Sequence, residues 1–208
     1  MGAVSGFSLG ILLWNQSTDW PAYEAAARKV DELGYDHIWA WDHLHAIFGE
    51  PQQDIFEGWL SLAAWAKVTN RARLGLLVGA IPFRNPGLVA KEATTLDHIS
   101  NGRAILGLGG AWFEYEHTAH GIDFGASPGT RLKWLDEAVG EAGELAGGVL
   151  LQLLQVERQP PHGAVPVGAG AAVDAGFEHT HKVTPSNTIG KLTADCRRSI
   201  NWPLMNAD

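Results

Sequence analysis

The first two-thirds of the chain alternate between short apolar runs and longer amphipathic segments. The short runs cover residues 7–13, 37–41, 74–78 and 104–108, and each is apolar almost throughout. Continuous apolar character is typical of strands covered on both faces, as in parallel α/β sheets. The pattern therefore predicts four buried parallel strands.

The segments between these runs predict helices, because their apolar residues recur on one helical face. They cover residues 20–33, 57–69, 86–100 and 131–146. Thr18 or Asp19 supplies a start signal for the first helix, and Gly34 supplies a stop signal. Strand–helix alternation of this kind leaves two architectures open, a doubly wound sheet and a (β/α) barrel.

The character of the chain changes after Gly147. Residues 168–176 are almost all Gly, Ala and Val, and residues 177–208 show no sustained period. One weak strand is predicted over residues 164–167. We therefore divide the chain into a strand–helix part, 1–147, and an atypical tail, 148–208. A tail with one strand can pair one edge of the sheet but not both.

Composition disfavours several classes of function. The formal net charge is -8 and the basic residues are not clustered, which disfavours nucleic acid as a partner. The single cysteine, Cys196, excludes an intramolecular disulfide, and residues 1–8 lack the features of a signal peptide. With no apolar run long enough for a membrane span, we expect a soluble cytoplasmic protein that acts on a small molecule.

The residues that follow each predicted strand hold the candidate chemistry, since ligands of parallel α/β proteins bind at the carboxyl ends of strands. Asp42 and His43 follow the second strand. An imidazole titrates near neutral pH and suits general acid–base catalysis, and a neighbouring carboxylate can orient it. The pair also fits a loop with local hydrogen bonds alone. Trp14-Asn15-Gln16, after the first strand, either lines a planar ligand or forms a polar loop.

Small residues follow the third and fourth strands. Gly79 and Ala80 would let a flat ring approach the backbone. Arg84, further on, is either a ligand of an anion or a surface side chain. The glycines of the turn at 109–112 would cradle a phosphate or a ring edge. Trp112 stands where the dinucleotide fingerprint requires glycine, which disfavours a Rossmann fold.

A metal-dependent hydrolase is an alternative class of enzyme. His43 and His45 stand two residues apart after a strand, a ligand spacing found in barrel hydrolases. Such a site needs further His or Asp ligands at later strand ends. Because no further ligand is recognisable there, we predict no metal site and keep the hydrolase as an alternative.

Several long stretches resemble the luciferase-like monooxygenase family. They are the LGYDHIW and WDH motifs within 33–43, the stretches 59–76 and 82–124, and RLKWLDEA at 131–138. They follow the family's order and cover residues 7–146. Long motifs in a shared order are far more specific than any one of them alone.

The resemblance implies a TIM-type (β/α) barrel oxidoreductase that uses reduced FMN or the deazaflavin coenzyme F420 on a small organic substrate, by hydride transfer or oxygenation. It assigns the family's Asp-His pair to Asp42 and His43 as catalytic residues. The cofactor ring would meet the backbone after the third strand, where the family often has a strained peptide. The cofactor-binding positions correspond to Gly79, Ala80, Gly109, Gly110, Ala111 and Trp112.

A complete barrel of this kind needs eight strands and about 250 residues. The 208 residues here show about four to five strand–helix units, with a faint likeness to the family's fifth strand at 164–170. We therefore expect an incomplete barrel whose open sheet edges favour self-association into a homo-oligomer. An inactive fragment of such an enzyme is the second interpretation.

Overall fold

A seven-stranded sheet organises the computed structural model, which describes residues 8–146, 149–153 and 172–173. The strands are β1 (Leu9–Leu12), β2 (His37–Ala40), β3 (Arg73–Leu76), β4 (Gly79–Ala80), β5 (Ala104–Gly109), β6 (Leu150–Leu153) and β7 (Ala172–Val173). The strands β1, β2, β3 and β5 lie side by side in this order, and all three pairings are parallel. The predicted order of four parallel strands is confirmed.

Helices connect the strands and form a layer on the sheet. They are α1 (Trp20–Leu33), α2 (Gly58–Val68), α3 (Pro86–Ser100), α4 (Glu114–His120) and α5 (Pro128–Ala146). In this layer α1 packs on α2, α2 on α3, and α3 on α5. The side chain of Asp19 accepts the Ala22 N–H at 2.8 Å, and Gly34 ends α1 with a φ of 87°. The start and stop signals of the sequence therefore act as expected.

The hydrophobic core lies between the helices and one face of the sheet. Ile38, Leu74 and Leu106 share this face and are fully buried, together with Leu62 and other residues of the helices. On the opposite face the indole of Trp39 crosses two glycine positions of its neighbouring strands, where added Cβ atoms would collide with it. Side chains alternate between the two faces, so each strand contributes to both layers. The fold is an α/β structure of the (β/α) barrel type that contains part of a barrel.

The third predicted strand is divided in two. Gly75 pairs with Ile105 and Gly79 pairs with Leu108. The three residues between the two glycines therefore face the two residues between their partners in β5. This is a β-bulge of one residue, a feature that changes the direction of a strand beside its partner. The peptide bond between Leu77 and Val78, within the bulge, is cis.

Two helices differ from the prediction by more than one residue at an end. Helix α4 was not predicted, because its seven residues are mostly polar and too few to show an apolar period. Helix α5 begins at Pro128 instead of residue 131, since Pro suits the first turn of a helix without adding to the apolar pattern.

The tail supplies a partner to both edges of the four-stranded core. Strand β6 pairs with β5 in parallel, and β7 pairs with β1 in antiparallel orientation. The expectation that the tail could cover only one edge is therefore wrong. Strand pairing uses main-chain groups, so a segment without a clear apolar pattern can still form it. The strand predicted over residues 164–167 lies outside the described residues.

Among the residues that the structure describes, no helix is both long enough and apolar enough to span a membrane.

Candidate active site

The bulge brings β4 to the carboxyl end of β5, beside the loop that follows β2. Ala80 pairs with Gly109 in the sheet, and its N–H donates to Asp42 Oδ2 at 2.8 Å. The ring of His43 meets the edge of Trp112 at a centroid distance of 5.5 Å. The structure thus brings together residues that follow three different strands, as expected for the carboxyl ends of parallel strands.

His43 is held by a carboxylate that was not singled out from the sequence. Its Nδ1 lies 3.0 Å and 3.2 Å from the two carboxylate oxygens of Glu116, in α4. The same carboxylate accepts the N–H of Leu44 at 2.8 Å, and Glu116 is 1% exposed. With Nδ1 donating to Glu116, Nε2 of a neutral His43 is the proton acceptor. The arrangement of an oriented imidazole is suited to proton transfer.

The aromatic surroundings of His43 come from two loops. Trp41 contacts its ring edge-on at 6.1 Å, and Phe113 does so at 6.2 Å. The side chain of His43 is 15% exposed, so the imidazole is mostly shielded from water but remains accessible. Trp112 is more open, with 46% of its surface exposed.

Asp42 belongs to a cluster of ion pairs around Arg84. The Arg84 guanidinium contacts Asp42 Oδ2 at 2.7 Å, Glu57 Oε1 at 2.6 Å and Glu92 Oε2 at 3.7 Å. Burial raises the pKa of Asp42 to about 6, although Arg84 and the Ala80 N–H oppose this rise. One guanidinium shared among three carboxylates compensates each of them only in part, so desolvation of Asp42 dominates.

Arg84 is therefore neither of the two things expected from the sequence. It is not a surface side chain, because only 13% of its side chain is exposed. Its donors already meet the carboxylates of Asp42 after β2, Glu57 at the start of α2 and Glu92 in α3, so an anionic ligand would have to displace them. Arg84 joins the loop after β2, the start of α2 and helix α3 through these ion pairs. Sequence patterns could not reveal this cluster, because Glu57 and Glu92 are ordinary residues of predicted helices.

The glycines of β4 and β5 have a packing function within the sheet. A Cβ at Gly79 would lie 3.0 Å from the backbone oxygen of Gly107, and a Cβ at Gly109 would collide with Val78 Cγ2. The close approach that these glycines permit is thus between strands. The approach of a flat ring to Gly79 and Ala80 stays a prediction.

The turn after β5 is held from α5. Ala111 has a φ of 62°, and its carbonyl accepts Nε of Arg131 at 3.3 Å. Arg131 also donates to the Phe124 carbonyl at 3.2 Å, and its guanidinium lies 3.9 Å above the Phe124 ring. Gly110 is buried and Trp112 is exposed. The turn is therefore fixed with its tryptophan towards solvent.

A metal site at His43 and His45 is not formed by the described residues. His43 Nδ1 faces Glu116, whereas His45 Nδ1 faces the Pro51 carbonyl at 3.1 Å. The part of the chain that the structure describes contains no group of three or more His, Cys, Asp or Glu side chains able to hold a metal ion. Within the described residues, the hydrolase alternative therefore lacks the ligand set that it requires.

Comparison with known proteins identifies the class. The sequence matches the luciferase-like monooxygenase family over residues 9–178, and the chain belongs to this family. The match extends beyond residue 146, where the recognisable motifs end, and includes β6 and β7. The resemblance noted from the sequence is confirmed.

Two relatives illustrate the cofactors found in similar proteins. The oxygenase component of flavin-dependent trigonelline monooxygenase from Acinetobacter baylyi is 37% identical over 112 residues, which cover 53% of this chain and 30% of the relative. A putative coenzyme F420-dependent oxidoreductase of Mycobacterium tuberculosis is 47% identical over 53 residues, or 26% of this chain and 15% of the relative. This chain spans less than half of the length of the curated relatives that it matches.

The fold is shared with part of a solved enzyme. An F420-dependent secondary alcohol dehydrogenase, in complex with an F420-acetone adduct, superposes with a TM-score of 0.60 at 20% identity. The alignment covers 66% of this chain and 41% of the dehydrogenase. The chain therefore has the fold of part of such a TIM-barrel enzyme.

Proposed function

We propose that this chain binds reduced FMN or coenzyme F420 at the carboxyl end of its sheet and acts in an oxidoreductase reaction on a small organic molecule. The family supports a flavin or deazaflavin cofactor. The observation that carries the proposal is the pair His43–Glu116, a buried carboxylate that orients an accessible imidazole beside β4 and the turn after β5.

One hydrogen-bond acceptor of the site fits a flavin-type ring. Asp42 Oδ1 is buried and has no hydrogen-bond partner among the described residues, whereas Oδ2 is fully used. Flavin and deazaflavin rings both carry a ring N–H, and a buried acceptor without a partner is costly until such a donor meets it. Asp42, Ala80 and the turn residues Gly109, Gly110, Ala111 and Trp112 are the residues proposed to hold the cofactor.

The cofactor supplies hydride or oxygen-activation chemistry when it is bound. The role of the protein is to position the substrate and to transfer a proton. His43 accepts or donates a proton at Nε2, while Glu116 stabilises the imidazolium that forms. Trp41, Trp112 and Phe113 limit the access of water to this imidazole.

Titration of the chain with FMN and with F420, in separate experiments followed by cofactor fluorescence, tests the proposal. Ala80→Leu places a larger side chain at β4 and should weaken binding by about tenfold or more, since one or two kcal/mol of steric cost corresponds to such a factor. Ala63→Leu, at a half-buried alanine on α2, is the matched control and should bind as the original chain does. If neither cofactor binds, the proposed function is wrong, and the inactive fragment becomes the better interpretation.

A further inference from the structure

A group of three aromatic side chains, Trp14, Trp41 and Phe48, lies beside His43. Trp14 stacks on Phe48 at 5.0 Å with an angle of 19° and contacts Trp41 at 5.1 Å with an angle of 30°. Trp41 and Phe48 are 6.1 Å apart. Each ring thus contacts the other two. We call this group the aromatic platform.

The platform is fixed by the two amides that follow β1. Asn15 Nδ2 donates to the Trp41 carbonyl at 3.1 Å. Gln16 Nε2 donates to the Phe48 carbonyl at 3.0 Å, and Gln16 Oε1 accepts the N–H of Ile47 at 2.8 Å. Asn15 and Gln16 are almost fully buried. Buried side-chain bonds to backbone groups hold a loop in one conformation, so the three rings are held in place by dedicated contacts.

The platform nevertheless leaves apolar surface open at the candidate active site. Trp14 is 46% exposed even though it stacks on two other rings. Trp41 joins the platform to His43, which also contacts Trp112 edge-on, in the turn proposed for the cofactor. His43 therefore contacts the platform and the cofactor turn alike. An exposed indole that is rigidly supported offers a flat apolar face at low entropic cost.

The charges of the described residues beside His43 argue against an anionic substrate. The two arginines near it are both engaged: Arg84 with three carboxylates, and Arg131 with two carbonyls and a phenyl ring. Asp42 and Glu116 place buried carboxyl groups close to His43. A negatively charged substrate would meet carboxylates before it met an available guanidinium, and a neutral one avoids this repulsion.

We propose that the aromatic platform binds the substrate, and that this substrate is an uncharged molecule with a planar apolar ring. The inference rests on the proposed function, since it places the substrate beside His43, which also contacts the cofactor turn. Trp14 determines specificity by stacking on the ring, whereas His43 reaches the polar group that the ring carries.

Calorimetric titration of the full chain with three probes tests this. The neutral 2-naphthol should bind, 2-naphthoate should bind at least about tenfold more weakly, and non-planar cyclohexanol should also bind more weakly. Trp14→Ala should weaken naphthol binding by about tenfold, and Trp14→Phe by much less, because a flat ring remains. Leu60→Ala, at a leucine on α2 that is 72% exposed, is the control for loss of an exposed apolar side chain.

The outcomes separate this inference from the proposed function. Equal binding of naphthol and naphthoate, or naphthol binding that Trp14→Ala leaves unchanged, would overturn the inference. Displacement of naphthol by FMN or F420 would also overturn it, because the platform would then belong to the cofactor. Should Trp14→Ala not fold, Trp14→Leu keeps apolar bulk without a planar ring and should show the same loss. Cofactor titration is independent, so a chain that binds the cofactor but no naphthol contradicts this inference alone.

Discussion

Replacement of Glu116 by glutamine reverses the hydrogen-bond direction at His43. The carboxylate accepts both from Leu44 N–H and from His43 Nδ1. A glutamine has one acceptor end and one donor end. If its oxygen keeps the Leu44 N–H, its NH₂ group faces Nδ1, which must then be unprotonated. His43 would carry its proton on Nε2 and could no longer accept one there.

The expected magnitudes follow from the burial of this group. A hydrogen bond to a charged partner contributes about 1.5–3 kcal/mol and a neutral one about 0.5–1.5 kcal/mol, so Glu116→Gln should lower the free energy of unfolding by about 1–3 kcal/mol. Glu116→Ala leaves two buried donors without an acceptor and should cost more, about 2–5 kcal/mol. Loss of proton transfer should lower turnover with the bound cofactor by about a hundredfold or more.

Nitrogen-15 NMR of the imidazole distinguishes the two tautomers, and urea unfolding measures stability. We expect the Nδ1–H tautomer in the original chain and the Nε2–H tautomer in Glu116→Gln. Glu114→Gln, at an exposed carboxylate of the same helix, should change neither quantity. An unchanged tautomer in a folded Glu116→Gln variant, together with unchanged turnover, would refute the assignment of Glu116 as the group that orients His43.

Four further predictions follow from the same structure. His43→Ala should lower turnover by about a hundredfold or more with a modest loss of cofactor affinity, measured by steady-state kinetics and titration. Gly107→Ala should destabilise the fold by about 2–3 kcal/mol in urea, because its Cβ would collide with a backbone oxygen of β3, whereas Gly140→Ala, in open space on α5, should stabilise it by about 0.5–1 kcal/mol. Arg103 donates five hydrogen bonds to groups of 66–72 and 100, so Arg103→Met should cost about 3 kcal/mol or more in the same assay. Burial raises the pKa of Asp42 from 3.8 to about 6; the folded protein then binds the extra proton between these values, so its stability in urea should fall by about 2 kcal/mol from this group as the pH rises from 4 to 6, and Asp42→Asn should remove that part of the slope.

Local sequence patterns predicted the strands and helices whose signals are local. Asp19 and Gly34 mark the ends of α1, since capping depends on neighbours within one turn. Helix α4 carries no apolar period, and β6 interleaves glutamine with leucine, so neither could be recognised in this way. The bulge between β3 and β4 depends on the register against β5, which a single strand does not encode.

The candidate site was predictable by position but not by contact. Parallel strands bring their carboxyl ends together, so Asp42, His43 and Ala80 could be placed at one end of the sheet without the structure. The carboxylate that holds His43 comes from 73 residues further along the chain. Nothing in the Glu114-Tyr115-Glu116 stretch distinguishes the buried glutamate from its exposed neighbour. Which of the two glutamates is buried can be inferred only when the position of α4 against the rest of the fold is known.

Among the residues that the structure describes, the contacts that shape the site lie within the first 131 residues. Asp42 holds the N–H of Ala80 and is itself held by Arg84, which is anchored to α2 and α3 by Glu57 and Glu92. The turn after β5 is fixed by a side chain of α5, and His43 by one of α4. Each positioning contact therefore belongs to the strand–helix units that precede β6. Arg84→Met should therefore weaken cofactor binding, because β4 would be displaced. Arg84→Lys should restore cofactor binding only in part, because an ammonium group cannot bridge three carboxylates as the planar guanidinium does. Equal cofactor affinity in Arg84→Met and in the original chain would show that β4 is positioned by other means.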